Sequence, residues 1–226
     1  MRLILFDIDG TLIRSDGVGM RALGRALIEV TGLDLTALGV RPDGQTDPGI
    51  LREAFERGGH SPTRWEVDEC EVLLRYPDHL RAEIQRGRVW TMPGVEALLD
   101  ELAGGAALGL LTGNLESTAR VKLEHVGLSH HFPVGGFGSD SPDRNRLGVL
   151  ALERARRHFR REFPPQEVWV VGDTGQDVAA ARAAGARVLA VATGSYGVAE
   201  LQAFEPDAVL PDLADLRRVR DLLLRQ

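Results

Sequence analysis

Short, continuous apolar runs, each closed by a small or acidic residue and followed by a segment of helical period, restrict this chain's fold more than any other feature. They are LILFDID (3–9), ALGLLTG (107–113), VWVVGD (168–173) and RVLAVAT (187–193), with a weaker DAVL at 207–210. Helical patterns lie between and after them, over about 94–103, 116–126, 145–162, 176–185 and 212–225. Runs that are apolar at every position suit strands buried on both faces. Their alternation with helices implies an α/β fold with a doubly wound, mainly parallel, Rossmann-like sheet. Ligands of such sheets bind beyond the carboxyl ends of the strands.

One stretch breaks the alternation. Between about Ser15 and Thr91 no strand is evident, and the patterns GMRALGRALIEVTG, DPGILREAFERGG and a third from about Thr63 to Arg86 are helical. That is too much chain for a loop. The organisation expected is a core of residues 1–14 and 91–226 with an all-helical cap at 15–90, TMPG (91–94) forming the hinge or a helix start.

Three clusters at strand ends carry chemistry. In FDIDGT, Asp7 and Asp9 stand at i and i+2, so in an extended strand both project to one side. A carboxylate can act as nucleophile, metal ligand or general acid/base. In LLTGN, Thr112, Gly113 and Asn114 supply a hydroxyl, close backbone approach and an amide, which together suit phosphate oxygens. In VVGDTGQDVAAARAAG, Asp173 ends a strand and Asp177 follows one helical turn later. Four carboxylates converging on one point repel, by about 4 kcal/mol per pair at 4 Å in a surface-like dielectric, so a cation is expected among them. Oxygen-only ligands favour Mg²⁺.

DIDGT, LLTGN and GDTGQD, in this order and with a helical insertion after the first strand, resemble the haloacid dehalogenase-like hydrolase superfamily, in particular its phosphoglycolate phosphatase-like branch. The resemblance covers almost the whole chain and implies a Mg²⁺-dependent phosphatase acting on a small phosphomonoester. It implies that Asp7 is the nucleophile, forming a phospho-aspartyl intermediate, and that Asp9 is the general acid/base. Mg²⁺ would be held by Asp7, Asp173 and the backbone carbonyl of Asp9, with Asp177 in or near its shell. Thr112 and the adjoining Gly113 and Asn114 would hold phosphate.

The chain departs from that pattern at the third motif, where a lysine usually precedes a helix. Between Phe132 and Phe163 there is no lysine. Arg144 is the expected substitute, with Arg146 the second choice; an arginine brings a planar fork in place of a point charge. Lys122, the only lysine, reads as a solvated residue of an ordinary helix in VKLEHVGL. In the insertion, RPDGQTDPGI (41–50) is polar and turn-rich, and Gln45, Thr46 and Asp47 are candidate specificity residues; the same stretch also reads as an interhelical loop with Thr46 or Asp47 as N-cap.

Charge and cysteine content narrow the alternatives. A net charge of −6 with no basic stripe argues against nucleic acid or an anionic membrane as partner, leaving a small-molecule phosphate ester. The single cysteine, Cys70, allows no intrachain disulfide, and the apolar start is too short for a signal core, so a cytoplasmic location is expected. GVGMRA (17–22) follows no strand directly and opens a helix, which excludes a dinucleotide reading, and no P-loop surrounds Lys122. A phosphosugar mutase of the same superfamily remains the alternative function. A receiver-like or non-catalytic phospho-aspartate protein is the reading from a different class.

Overall fold

The computed structural model describes residues 1–42 and 44–224; Asp43 in the 41–50 loop and residue 225, the expected end of the last helix, lie outside the described residues. In chain order the elements are β1 (Arg2–Phe6), β2 (Ile13–Ser15), α1 (Val18–Thr31), α2 (Asp47–Arg57), α3 (Trp65–Ile84), β3 (Val89–Thr91), α4 (Val95–Leu102), β4 (Ala106–Thr112), α5 (Glu116–His125), β5 (Val134–Phe137), α6 (Arg144–Phe159), β6 (Val168–Gly172), α7 (Gly175–Ala183), β7 (Arg187–Val191), α8 (Val198–Gln202), β8 (Ala208–Leu210) and α9 (Leu216–Leu224).

Six strands form one parallel sheet in the order β5-β4-β1-β6-β7-β8. β1 shows why its sequence is apolar from Leu3 onward. Leu3 and Leu5 pack into the cluster under α6 and α7, whereas Ile4 and Phe6 join the opposite cluster with α4, α5 and α9. The period of two divides one run between two cores. β6 does the same, with Val168 and Val170 on one face and Trp169 and Val171 on the other.

Helices α1–α3 build a third cluster of their own, centred on Leu23, Leu27, Leu51, Phe55, Val72, Tyr76 and Leu80. The chain enters and leaves this helical unit through a two-stranded antiparallel ribbon, β2 against β3, with Arg14 opposite Trp90. β3 corrects the expectation of no strand before Thr91: three residues are too few for a periodic signal. β5 was also not expected, because VGGF carries two glycines, which weaken a strand. Their absence of side chains has a use here. A Cβ on Gly136 would collide with the Leu147 backbone, so α6 packs directly on β5 and its first residue, Arg144, is brought to the sheet's carboxyl edge. The last helix starts at Leu216, four residues later than its sequence pattern suggests.

Candidate functional site

Asp7 is the first residue beyond β1, and its N–H still pairs with the Val171 carbonyl at 2.9 Å. It continues the Leu3–Leu5 parity and lies on the face covered by α6 and α7. There Arg144 Nη2 contacts Asp7 Oδ1 at 3.0 Å and Asp177 Oδ1 at 2.5 Å. Asp173, at the end of β6, completes a group in which one oxygen from each of Asp7, Asp173 and Asp177 lies within 4.8 Å of the others. All three are buried. Burial pushes the Asp7 carboxyl up to about 7; the charge of Arg144 opposes that rise, and those of Asp177 and Asp9 add to it. Burial, then Asp177 and Asp7, hold Asp173 well above the usual carboxylate range. The guanidinium of Arg144 is raised as well: burial would lower it, but the charges of Asp177 and Asp7 outweigh that and keep it protonated.

Asp177 is already heavily used. Its Oδ2 accepts from the Thr174 hydroxyl at 2.7 Å and from the Asp173 and Thr174 N–H groups, closing the capping box that starts α7. Its Oδ1 holds Arg144. Asp177 therefore caps α7 and holds Arg144 at once. Asp173 keeps one oxygen on the Thr11 hydroxyl at 2.9 Å, and a Cβ on either Gly10 or Gly194 would run into the other. Once all three are ionised, the buried carboxylates outweigh the single guanidinium, and glycines leave room beside Asp173. That donor set fits a hard divalent cation.

Asp9 does not join this group, contrary to the expectation of four converging carboxylates. The chain is no longer extended there: the Ile8 carbonyl accepts from Thr11, Leu12 and Ile13, and Gly10 takes φ +88°. The turn sends the Asp9 side chain to the other side of the site. Its Oδ2 accepts from Lys122 Nζ at 2.5 Å and from Asn114 Nδ2 at 2.8 Å. Burial would raise its carboxyl, but the charge and hydrogen bond of Lys122, then the bond from Asn114, hold it below the ordinary value.

Lys122 is thus not the solvated helical lysine its surroundings suggest. Its side chain is 6% exposed and also donates to Asn114 Oδ1 at 2.5 Å. The sequence does carry one signal for it: Lys122 follows Thr118 by four residues on α5, on the face that turns inward. Thr112 is buried and its hydroxyl accepts from the Asn114 amide at 3.1 Å, so Thr112 and Asn114 are tied to each other as well as to the site.

The helical unit closes over these groups. Arg144 Nη1 donates to the Gly44 carbonyl at 3.1 Å, Thr46 Oγ1 to the Pro142 carbonyl at 3.0 Å, and Asp47 N–H to the Gly113 carbonyl at 2.8 Å. Thr46 is at the same time the N-cap of α2, accepting from Gly49 N–H. Asp47 is buried; its Oδ2 accepts from the Leu115 N–H at 2.9 Å, and burial pushes its carboxyl up to about 6 although Lys122 pulls it down. Gln45 lines the enclosed space, yet its amide is committed to Glu53 and the Arg41 carbonyl. Arg146 lies on the exposed side of α6 and does not line that space. What remains is a cavity of about 350 Å³ bounded by Asp7, Asp9, Asp173, Arg144, Lys122, Tyr76 and the start of α1.

A family model described as HAD-hydrolase-like matches residues 147–216. The chain is 28% identical to the phosphoglycolate phosphatase of Synechococcus elongatus over the full length of both. It is 29% identical to the tyrosine-protein kinase PtkA of Mycobacterium tuberculosis, over 98% of this chain and 72% of that protein. Among solved structures, a hydrolase from Pseudomonas syringae superposes with a TM-score of 0.75 at 21% identity, over 99% of each chain. Among the described residues no helix is long and apolar enough to cross a membrane.

Proposed function

We propose, from the premise that the chain is a haloacid dehalogenase-like hydrolase of the phosphatase type, that it hydrolyses a small phosphomonoester through a phosphorylated Asp7. The observation carrying this reading is the buried trio Asp7, Asp173 and Asp177 held with Arg144 at adjoining strand ends, beside a cavity between the sheet and the helical unit. An Asp7 oxygen attacks phosphorus while the bond from phosphorus to the ester oxygen breaks. The ester oxygen leaves with a proton from Asp9. Water then attacks the same phosphorus, Asp9 takes its proton, and phosphate and free Asp7 are released. Asp9 is held as a carboxylate before substrate arrives, which suits the second half; a phosphate dianion beside it raises its affinity for the proton needed in the first.

Mg²⁺, bound by the Asp7 and Asp173 carboxylates and the Asp9 backbone carbonyl, would supply positive charge against the charge spreading over the transferring group. Arg144, Thr112 and the Gly113 backbone orient phosphate oxygens. Asp177 acts here by fixing Arg144. A cavity of about 350 Å³ suits a small ester, a cytoplasmic metabolite in this reading, and phosphoglycolate is the first candidate because a relative matched over its full length is named for it.

The test is phosphate release from p-nitrophenyl phosphate, phosphoglycolate and hexose phosphates with and without Mg²⁺. Turnover that needs the metal and disappears in Asp7→Asn supports the proposal; full activity of Asp7→Asn sinks it. Interconversion of hexose phosphates with little free phosphate would assign a mutase instead. Transfer from labelled Asp7 to a phenol in preference to water would align the chain with its kinase-named relative.

A further inference from the structure

Lys122 makes a closed ring with the residue to which the proposed reaction gives both proton transfers. Its Nζ donates to Asp9 Oδ2 and to Asn114 Oδ1, each at 2.5 Å, and Asn114 Nδ2 donates to the same Asp9 oxygen at 2.8 Å. Asn114 is fixed in turn by the Thr112 hydroxyl at 3.1 Å. Asp9 Oδ1 makes no hydrogen bond among the described residues, and Asp9 lines the cavity.

A purely structural account of Lys122 is weak. An ammonium withdrawn from water costs several kcal/mol unless paired, and an apolar side chain of similar volume would fill the same space on α5 without that cost. The helical unit makes room for it: a Cβ on Gly19 would lie 3.3 Å from Nζ and 3.4 Å from the Tyr76 hydroxyl. Asp9 by contrast needs restraint. It sits in a tight turn with its side chain 41% exposed, next to a carboxylate group that an unrestrained Asp9 could disturb. A general acid/base is effective only within hydrogen-bond reach of the atom it serves and in a fixed orientation.

We infer that Lys122, with Asn114, is a positioning residue that clamps Asp9 by one oxygen and leaves the other for the reacting oxygen atoms. The inference rests on the acid/base role of Asp9 proposed above. It also reassigns Asn114, expected to hold phosphate, to the orientation of Asp9.

Leaving-group dependence separates these roles. p-Nitrophenolate departs without a proton, whereas the alkoxide of phosphoglycolate needs one. Single-turnover rates of Asp7 phosphorylation, which precede the water step common to both esters, are to be measured with both esters and Mg²⁺ for wild type, Lys122→Met, Lys122→Arg, Asn114→Ala, Asp9→Asn and the Asp9→Asn/Lys122→Met double variant. The expected result is a loss in that rate of about 10²-fold on phosphoglycolate and under about 10-fold on p-nitrophenyl phosphate for Lys122→Met. Lys122→Arg should recover part of the loss, and the double variant should be no worse than Asp9→Asn. Equal losses on both esters in Lys122→Met overturn the inference while Asp9→Asn keeps its selectivity. If Lys122→Met does not fold, Asn114→Ala decides: selective loss supports the clamp, and uniform loss or a rise in KM alone returns Asn114 to phosphate binding and overturns it. An Asp9→Asn variant without selectivity removes the acid/base role itself, and the clamp with it.

Discussion

The N–H of Asp47 donates to the Gly113 carbonyl across 2.8 Å, which ties the first residue of α2 in the helical unit to the residue that follows β4. The bond exists because Gly113 has no side chain. A Cβ there would run into the Gln45 carbonyl and come within 2.9 Å of Arg144 Nη1.

Gly113→Ala should therefore leave the sheet intact but push the 44–47 loop away from the strand ends. A displacement of about 1 Å costs up to roughly 10²-fold in kcat/KM. Kinetics on phosphoglycolate beside far-ultraviolet circular dichroism would check this; unchanged kcat/KM counts against the loop's part in the site.

Asp47 itself is a source of pH-dependent instability. Burial raises its carboxyl from 3.8 to about 6, partly offset by Lys122. A raised carboxyl contributes its stability below the unfolded value and loses it as pH climbs through the folded one. Asp47→Asn should thus match wild type near pH 4 and be more stable at pH 7.5, by up to about 3 kcal/mol. Thermal denaturation of both proteins across that range gives the comparison, and an advantage confined to acid pH contradicts it.

Arg144 balances three buried carboxylates. Arg144→Met should destabilise the metal-free protein by about 3–5 kcal/mol, because it strands charges whose partner is gone. Mg²⁺ should restore part of that loss. Arg144→Lys should keep more of the stability than the methionine variant, yet lose the bond to the Gly44 carbonyl. Urea unfolding with EDTA or Mg²⁺ measures both effects.

Metal binding should release protons. Asp7 is held at about 7, mainly by burial and then by its acidic neighbours against Arg144, so at pH 6.5 much of it is protonated. A cation must displace that proton. Calorimetry at pH 6.5 in two buffers of different ionisation enthalpy should show the release, with affinity rising from pH 6 toward 8. Binding without proton release would refute it.

The sheet was legible because strands buried on both faces cannot hide: LILF and VWVV are apolar at every position. Helices α1–α7 were legible from their period and caps, with ends displaced by a few residues. That Asp7 and Asp173 would meet was legible because strand ends mark the sheet's carboxyl edge, and that Arg144 would join them because it opens a helix where the resembling family carries a lysine. Lys122 was not, since its four-residue spacing from Thr118 is too weak a signal to mark a buried lysine, and its partners Asp9 and Asn114 lie 113 and 8 residues away. The divergence of Asp9 from Asp7 was lost for a related reason. The i, i+2 rule holds only for extended chain, and Gly10 ends the extension.

The ribbon of β2 and β3 has one more consequence. Leu12 and Met92 share a hydrogen bond at 2.9 Å, and the rungs Ile13–Thr91 and Ser15–Val89 continue it. To the sheet, everything from residue 16 to residue 88 is therefore the tip of a hairpin, whatever its length. That third of the molecule joins the core chain at two adjacent backbone crossings, so a change in its length is absorbed at the ribbon and leaves the strand-end carboxylates in register.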